Sequence, residues 1–189
     1  MAGTEIHPVT ADRRGDLLEL FGDSGAYSNC WCTWWILTGR QFDEARKQDR
    51  RHILLDLVDD GSEPGLLAYR DDEPVGWCAV GPRPRFARMM SERARVYKPL
   101  DQRPSWVINC FYIPRTERGH GLATDLLDAA IAFARDRGAT LLEAYPIDRS
   151  AKDHNAASLF VGTLSMFESA GFAEAARHND RPLVRLELG

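Results

Sequence analysis

Residues 118–123 read Arg118-Gly119-His120-Gly121-Leu122-Ala123, directly after an apolar stretch and directly before a helical pattern. A helix that starts straight after a strand presents unpaired N–H groups and a positive dipole end, and glycines there let phosphate oxygens approach the backbone. No Gly-Lys-Ser/Thr follows, so the segment is not a P-loop, and the third small residue of the dinucleotide fingerprint is missing. A pyrophosphate remains a suitable ligand. His120 lies inside this motif, where its backbone matters more than its ring, and His7, His52, His154 and His178 are scattered.

A second concentration of chemistry is the aromatic stretch 27–35, which holds Trp31, Trp34 and Trp35. Aromatic faces attract ammonium groups by roughly 0.5–2 kcal/mol, and rings of this size also pack helices against sheets. Both readings stand. Cys30 and Cys32 lie one residue apart with no His nearby, a poor start for a tetrahedral metal site, so no metal is expected. The four cysteines form no CxxC pair and are expected to be reduced. Arg83, Arg85, Arg88, Arg93, Arg95 and Lys98 read as a solvated face.

The elements that must position these groups follow from periodicity and punctuation. A strand at 5–9 leads to a helix over 11–21 that Gly22 ends, and a second helix covers 42–60. Strands over 65–70 and 75–80 flank a turn at 71–74, the spacing of a hairpin. After an irregular basic stretch, 81–103, helical around 88–97, comes strand 106–113, apolar almost throughout and therefore central and covered on both faces. The glycine turn opens a helix to Arg137 with Leu122, Leu126, Ala129 and Phe133 on one stripe and Gly138 as its stop. Strand 140–145, helix 158–170 and strands near 172–176 and 183–188 complete the order βααββ(x)βαβαββ, an α/β fold in one domain over 1–189.

The 189 residues are 44% hydrophobic and 28% charged, ordinary for a soluble globular chain. No basic and apolar start marks a signal peptide and no apolar run is long enough to span a membrane, so the expected location is cytoplasmic. A net charge of −4 argues against nucleic acid as a partner and suits a cationic acceptor.

Arg118, Gly121 and Ala123 match the pattern Arg/Gln-x-x-Gly-x-Gly/Ala, and Met166-Phe167-Glu168-Ser169-Ala170-Gly171-Phe172 has the form of a helix-to-strand ending before a last hairpin. On these motifs and the element order the chain resembles the GCN5-related N-acetyltransferases (GNAT). The resemblance implies a mixed, mostly antiparallel central sheet with helices on both faces. It implies acetyl-CoA as co-substrate, with pantetheine paired to the main chain of Phe111, Tyr112 and Ile113 and pyrophosphate held by Arg118, Gly119, His120, Gly121, Leu122 and Ala123. A backbone N–H near Phe111 or Ile113 would stabilise the developing oxyanion. The acceptor would be a small-molecule or peptide amine, and Trp31, Trp34 and Trp35 fall where such folds place one wall of its site. A homodimer is compatible with the sequence.

Two departures from the family pattern matter. Strand 106–113 contains no Asp or Glu to serve as base, and Phe167 stands where a tyrosine acid is usual. The nearest substitutes are Glu143, flanked by Leu141, Leu142 and Ala144, as a base of raised pKa or as a structural carboxylate paired with an arginine. Asn109, on the face of Phe111 by period-two alternation, would hold a relay water, and Tyr145 would protonate the leaving thiolate. Cys110 offers an acyl-cysteine route, against its reading as a small buried hydrophobe; direct attack in a ternary complex is preferred. The competing functions are a non-catalytic acyl-CoA sensor and an acyltransferase with another donor, a longer acyl-CoA or an aminoacyl-tRNA.

Overall fold

The computed structural model describes residues 3–90, 95–150 and 156–189. Seven strands, β1 (Glu5–Pro8), β2 (Gly65–Arg70), β3 (Glu73–Pro82), β4 (Trp106–Tyr112), β5 (Leu141–Ala144), β6 (Ala173–His178) and β7 (Arg181–Glu187), form one sheet in the order β1-β2-β3-β4-β5-β7-β6. All neighbours are antiparallel except β4 and β5. The helices are α1 (Arg14–Phe21), α2 (Gly39–Glu44), α3 (Lys47–Asp59), α4 (Ala87–Met90), α5 (Leu122–Asp136) and α6 (Leu164–Ser169). This is the mixed, mostly antiparallel architecture that the family resemblance implies.

Each face of the sheet has its own core. Leu17 and Phe21 of α1, Leu54 and Val58 of α3, and Trp31, Trp35 and Trp77 pack on one side. Leu122, Leu126, Leu127, Ala130 and Phe133 of α5 pack with Phe167 on the other. The stripe on α5 follows from its 3.6-residue period, and the helix closes where Ala139 N donates to Ala134 O beside Gly138 at positive φ. The β2–β3 turn is tighter than its sequence suggests. Asp71 and Asp72 both take positive φ, the two-residue connection that matches strand twist.

Two helices differ from expectation. The helix expected over 42–60 is two, because Thr38 accepts from Gln41 N while Gln41 Oε1 accepts from Thr38 N, and Asp49 accepts from Arg46 N. These caps start separate helices within one apolar pattern. The helix expected over 158–170 is a 3-10 segment, Ala156–Val161, followed by the short α6. Gly162, at φ +79, gives its carbonyl to Ile147 N, and Leu164 N donates to Ile147 O, so the chain is pinned to the end of β5 and turns there. Of the helix expected around 88–97, α4 and the turn Arg95–Tyr97 are present and the middle lies outside the described residues.

Two carboxylates brace the sheet's ends. A hydrogen bond from Arg185 holds Asp101 down at about 2, and hydrogen bonds from Ser150 and then Arg177 do the same for Asp148. A depressed pKa stabilises the fold above the ordinary carboxylate range and loses that contribution as pH falls through the folded value. Unfolding free energy from urea titrations should therefore decline between about pH 4 and about pH 2, and Asp101→Asn should make that decline shallower. An Asp101→Asn variant with the wild-type slope would remove Asp101 from this account.

Candidate active site

The site begins where β4 loses its neighbour. Parallel pairing joins Trp106 to Leu142, Val107 to Glu143 and Ile108 to Ala144, and then stops. β4 continues to Tyr112 against β3, while the chain after Ala144 turns through Tyr145 and Pro146 to Ile147, which bridges to Thr163. The β5-side edge of β4 over 109–112 therefore faces no strand among the described residues. Exposed backbone at a sheet edge is a template for an extended partner.

The alternation of side chains along β4 is broken at the same place. Cys110 pairs with Ala79 and Ile108 with Val80, which leaves Asn109 as an extra residue in a bulge. Val107 and Cys110 belong to the α1–α3 core, Ile108 and Phe111 to the α5–α6 core. Phe111 is thus in phase with Ile108, so the period-two alternation expected to link Asn109 with Phe111 does not run unbroken through the strand. Asn109 is the residue inserted there. It is 3% exposed, and neither Oδ1 nor Nδ2 has a hydrogen-bond partner. Phe111 meets Phe167 edge-on, and Phe167 meets Phe172, so Phe167 is a core ring. Tyr112 turns the other way, onto Phe21.

Glu143 takes the second of its two readings. It is fully buried, with one oxygen accepting from Arg83 Nη1 at 2.6 Å and Ser105 Oγ at 2.9 Å and the other from Arg185 Nε at 2.9 Å and Nη2 at 2.7 Å. Every favourable acceptor position is used, and no lone pair is left to take a proton from an amine. Arg83, expected on a solvated face, is 5% exposed and also donates to the carbonyl of Tyr97 and, at 2.9 Å, to Tyr145 Oη. Tyr145 in turn gives its proton to Tyr97 O at 3.2 Å, and burial pushes its hydroxyl up to about 12, partly offset by Arg83. With its oxygen accepting from Arg83 and its proton given to Tyr97 O, Tyr145 stands as a wall of the site.

The three tryptophans do not form one cage. Trp31 packs on Phe21, Trp34 on Phe42, and Trp35 on Tyr97. Cationic partners for two of them come from the chain itself, Arg88 at 3.8 Å over Trp34 and Arg51 at 5.5 Å over Trp31. Trp35 alone reaches the parting strands, through contacts that run from Phe160 to Trp35, Tyr97 and Tyr145. Arg88 and Arg181 lie near enough to the Tyr97 hydroxyl to work against the burial that raises its pKa. Two cations, Arg88 and Arg181, therefore stand near this wall. Cys110 is buried with its Sγ 3.2 Å from Cys32 Sγ; that hydrogen bond and burial push the Cys32 thiol well up. Without a base beside it, Cys110 reads as packing.

The glycine turn lies at the far end of the same edge. Arg118 sends Nε back to Ile113 O at 2.9 Å, and Arg70 pairs with Glu117, so the turn is fastened to β4 and β2. Gly119 and Gly121 both have φ +83, and a Cβ on either meets nothing within 4 Å. The constraint is conformational, and the space over the backbone is open to a ligand. Leu122 buries its side chain in the core and offers the site only its N–H. A groove of about 280 Å³ adjoins the turn, between Thr124 and Asp128 of α5 and Ser165, Met166 and Ser169 of α6. Open amides at the start of a fifteen-residue helix suit a pyrophosphate, and the free edge suits an extended arm. Among the described residues no group of three or more metal-ligating side chains is present.

The family model described as Acetyltransferase (GNAT) family matches residues 31–164. Among solved structures, the chain is similar to yncA, a putative acetyltransferase from Salmonella typhimurium with acetyl-CoA, at 18% identity and TM-score 0.57 over 98% of this chain and 94% of that one. It is similar to a ribosomal-protein-alanine N-acetyltransferase from Brucella melitensis at 23% identity and TM-score 0.55, over 97% and 99%. The paia N-acetyltransferase from Thermoplasma acidophilum in complex with coenzyme A is 14% identical at TM-score 0.54, over 98% and 99%. No curated protein matches the sequence.

Proposed function

The chain belongs to the GNAT acetyltransferase family, and from that premise we propose that it transfers acetyl from acetyl-CoA to an amine by direct attack in a ternary complex. The observation that carries the reading is the free edge of β4 leading straight to an open glycine turn. Amides of 119–123 hold the pyrophosphate, the amide of Arg118 being spent on Arg115 O, and the main chain of Phe111, Tyr112 and Ile113 pairs with the pantetheine arm. Acetyl-CoA supplies the activated acyl group. A backbone N–H near Phe111 or Ile113 meets the negative charge that grows on the thioester oxygen, a contact of the kind whose loss costs about 3–4 kcal/mol elsewhere. The thiol leaves without an acid, since its pKa of about 8–9 makes the thiolate a tolerable leaving group.

Neither Glu143 nor Phe167 offers proton chemistry, and this favours, as a second reading, a module that binds acyl-CoA without catalysis. Thiol release from acetyl-CoA across polyamines, aminoglycosides, amino acids, amino-acid amides and short peptides separates the two. Release above hydrolysis with at least one amine is expected. Binding with no release would favour the sensor, and absence of binding would remove the donor.

A further inference from the structure

The bulge on β4 sets an unusual residue at the point where the strands part. Asn109 is buried there with both amide atoms free. A buried amide without partners is unfavourable, so its presence here points to a ligand that completes it. We propose that Asn109 seats the acceptor's nitrogen, with Oδ1 accepting an N–H, and that the acceptor is a weakly basic amine, such as an α-amine, that arrives neutral. The inference rests on the acyltransferase reading above.

The surroundings determine the substrate class. Groups lining the wall beside the parting strands are Cys110 of β4 and Cys32 from the α1–α3 core, Glu143 of β5 and Tyr145 just after it, Arg83 and Tyr97 from the stretch between β3 and β4, and Arg181 from β7. Glu143 is consumed by two guanidiniums and the thiols share a hydrogen bond, so none of these groups offers a free carboxylate to hold a bound ammonium. A neutral amide accepts a hydrogen bond but takes no proton. The amine lone pair forms the N–C bond, the C–S bond breaks with its pair on sulfur, and the proton shed by nitrogen ends on that thiolate or on water. Only the neutral fraction reacts. At pH 7.5 an α-amine of pKa about 7.8 is about a third neutral and an alkyl amine of pKa about 10.4 about a thousandth, a ratio of roughly 250.

The test uses three amines on one aromatic skeleton, phenylalanine amide, β,β-difluorophenethylamine and phenethylamine, with saturating acetyl-CoA. At pH 7.5 kcat/KM should be about a hundredfold higher for the first two, and the gap should close by about tenfold per pH unit towards pH 10. Equal use at pH 7.5 overturns the inference, because a base must then be present. Acetyl-CoA binding without transfer to any of the three also overturns it and leaves family membership standing, whereas failure to bind acetyl-CoA overturns the acyltransferase reading itself. In Asn109→Leu, kcat/KM should fall at least about tenfold with acetyl-CoA affinity unchanged and the thermal midpoint equal or higher. A lower midpoint with unchanged kcat/KM would make Asn109 structural.

Discussion

Gly121→Val is expected to weaken acetyl-CoA binding more than about a hundredfold while the chain still folds. Gly121 caps α5 at φ +83, where a β-branched residue is strained, and the added atoms point into space that the protein itself leaves open. Charge-assisted hydrogen bonds from backbone amides contribute about 1.5–3 kcal/mol each, so losing two accounts for that factor. The same substitution at Gly138, also at positive φ with nothing within 4 Å, is the control. It carries similar strain at the other end of α5 and should leave affinity unchanged. Calorimetric titration of both variants reads the difference, and equal losses would mean that helix strain and not phosphate contact is responsible.

Arg83→Met should destabilise the fold by about 3–5 kcal/mol, the effect of removing one partner from a buried charged network. The guanidinium joins β5, through Glu143 and Tyr145, to the carbonyl of Tyr97, so its loss also frees the aromatic wall. Glu143→Gln should be costly as well, since it leaves Arg83 and Arg185 facing one another without the charge between them. What it should not do is move the pH profile of turnover, because Glu143 has no free lone pair for the acceptor. A fall of under 1 kcal/mol in the urea unfolding energy of Arg83→Met would show that Arg185 alone suffices to hold Glu143.

The parts of this site that were legible in the sequence are those encoded locally. The apolar run of β4, the glycines before α5 and the stripe on α5 are each defined by residues within one turn or one strand of each other, and the structure has them within a residue or two of their expected bounds. Glu143 shows the opposite case. Its partners Arg83 and Arg185 are 60 and 42 residues away, and nothing local distinguishes a buried base from a clamped carboxylate. Arg83 was hidden by its neighbours, a basic segment in which Arg85 and Arg88 bind backbone carbonyls and Lys98 is exposed. The bulge at Asn109 depends on register with β3, and period-two alternation read along one strand has no access to it. The division of the second helix was available in principle, from Thr38-x-x-Gln41 and Asp49, had capping been weighed above apolar periodicity.

The tryptophans illustrate why composition misleads about ligands. Three large rings within five residues suggest a cage, yet positive φ at Ala26, Ser28, Asn29, Trp31 and Cys32 curls the segment so that its rings point to separate neighbours. Two of the three then receive the chain's own arginines.

Amide hydrogen exchange with and without acetyl-CoA tests the central claim most directly, because it reads the backbone that the account assigns to the donor. Protection should appear over 109–113 and 119–123 and remain small across α1 and α3. Protection elsewhere with these two segments unchanged would contradict the account.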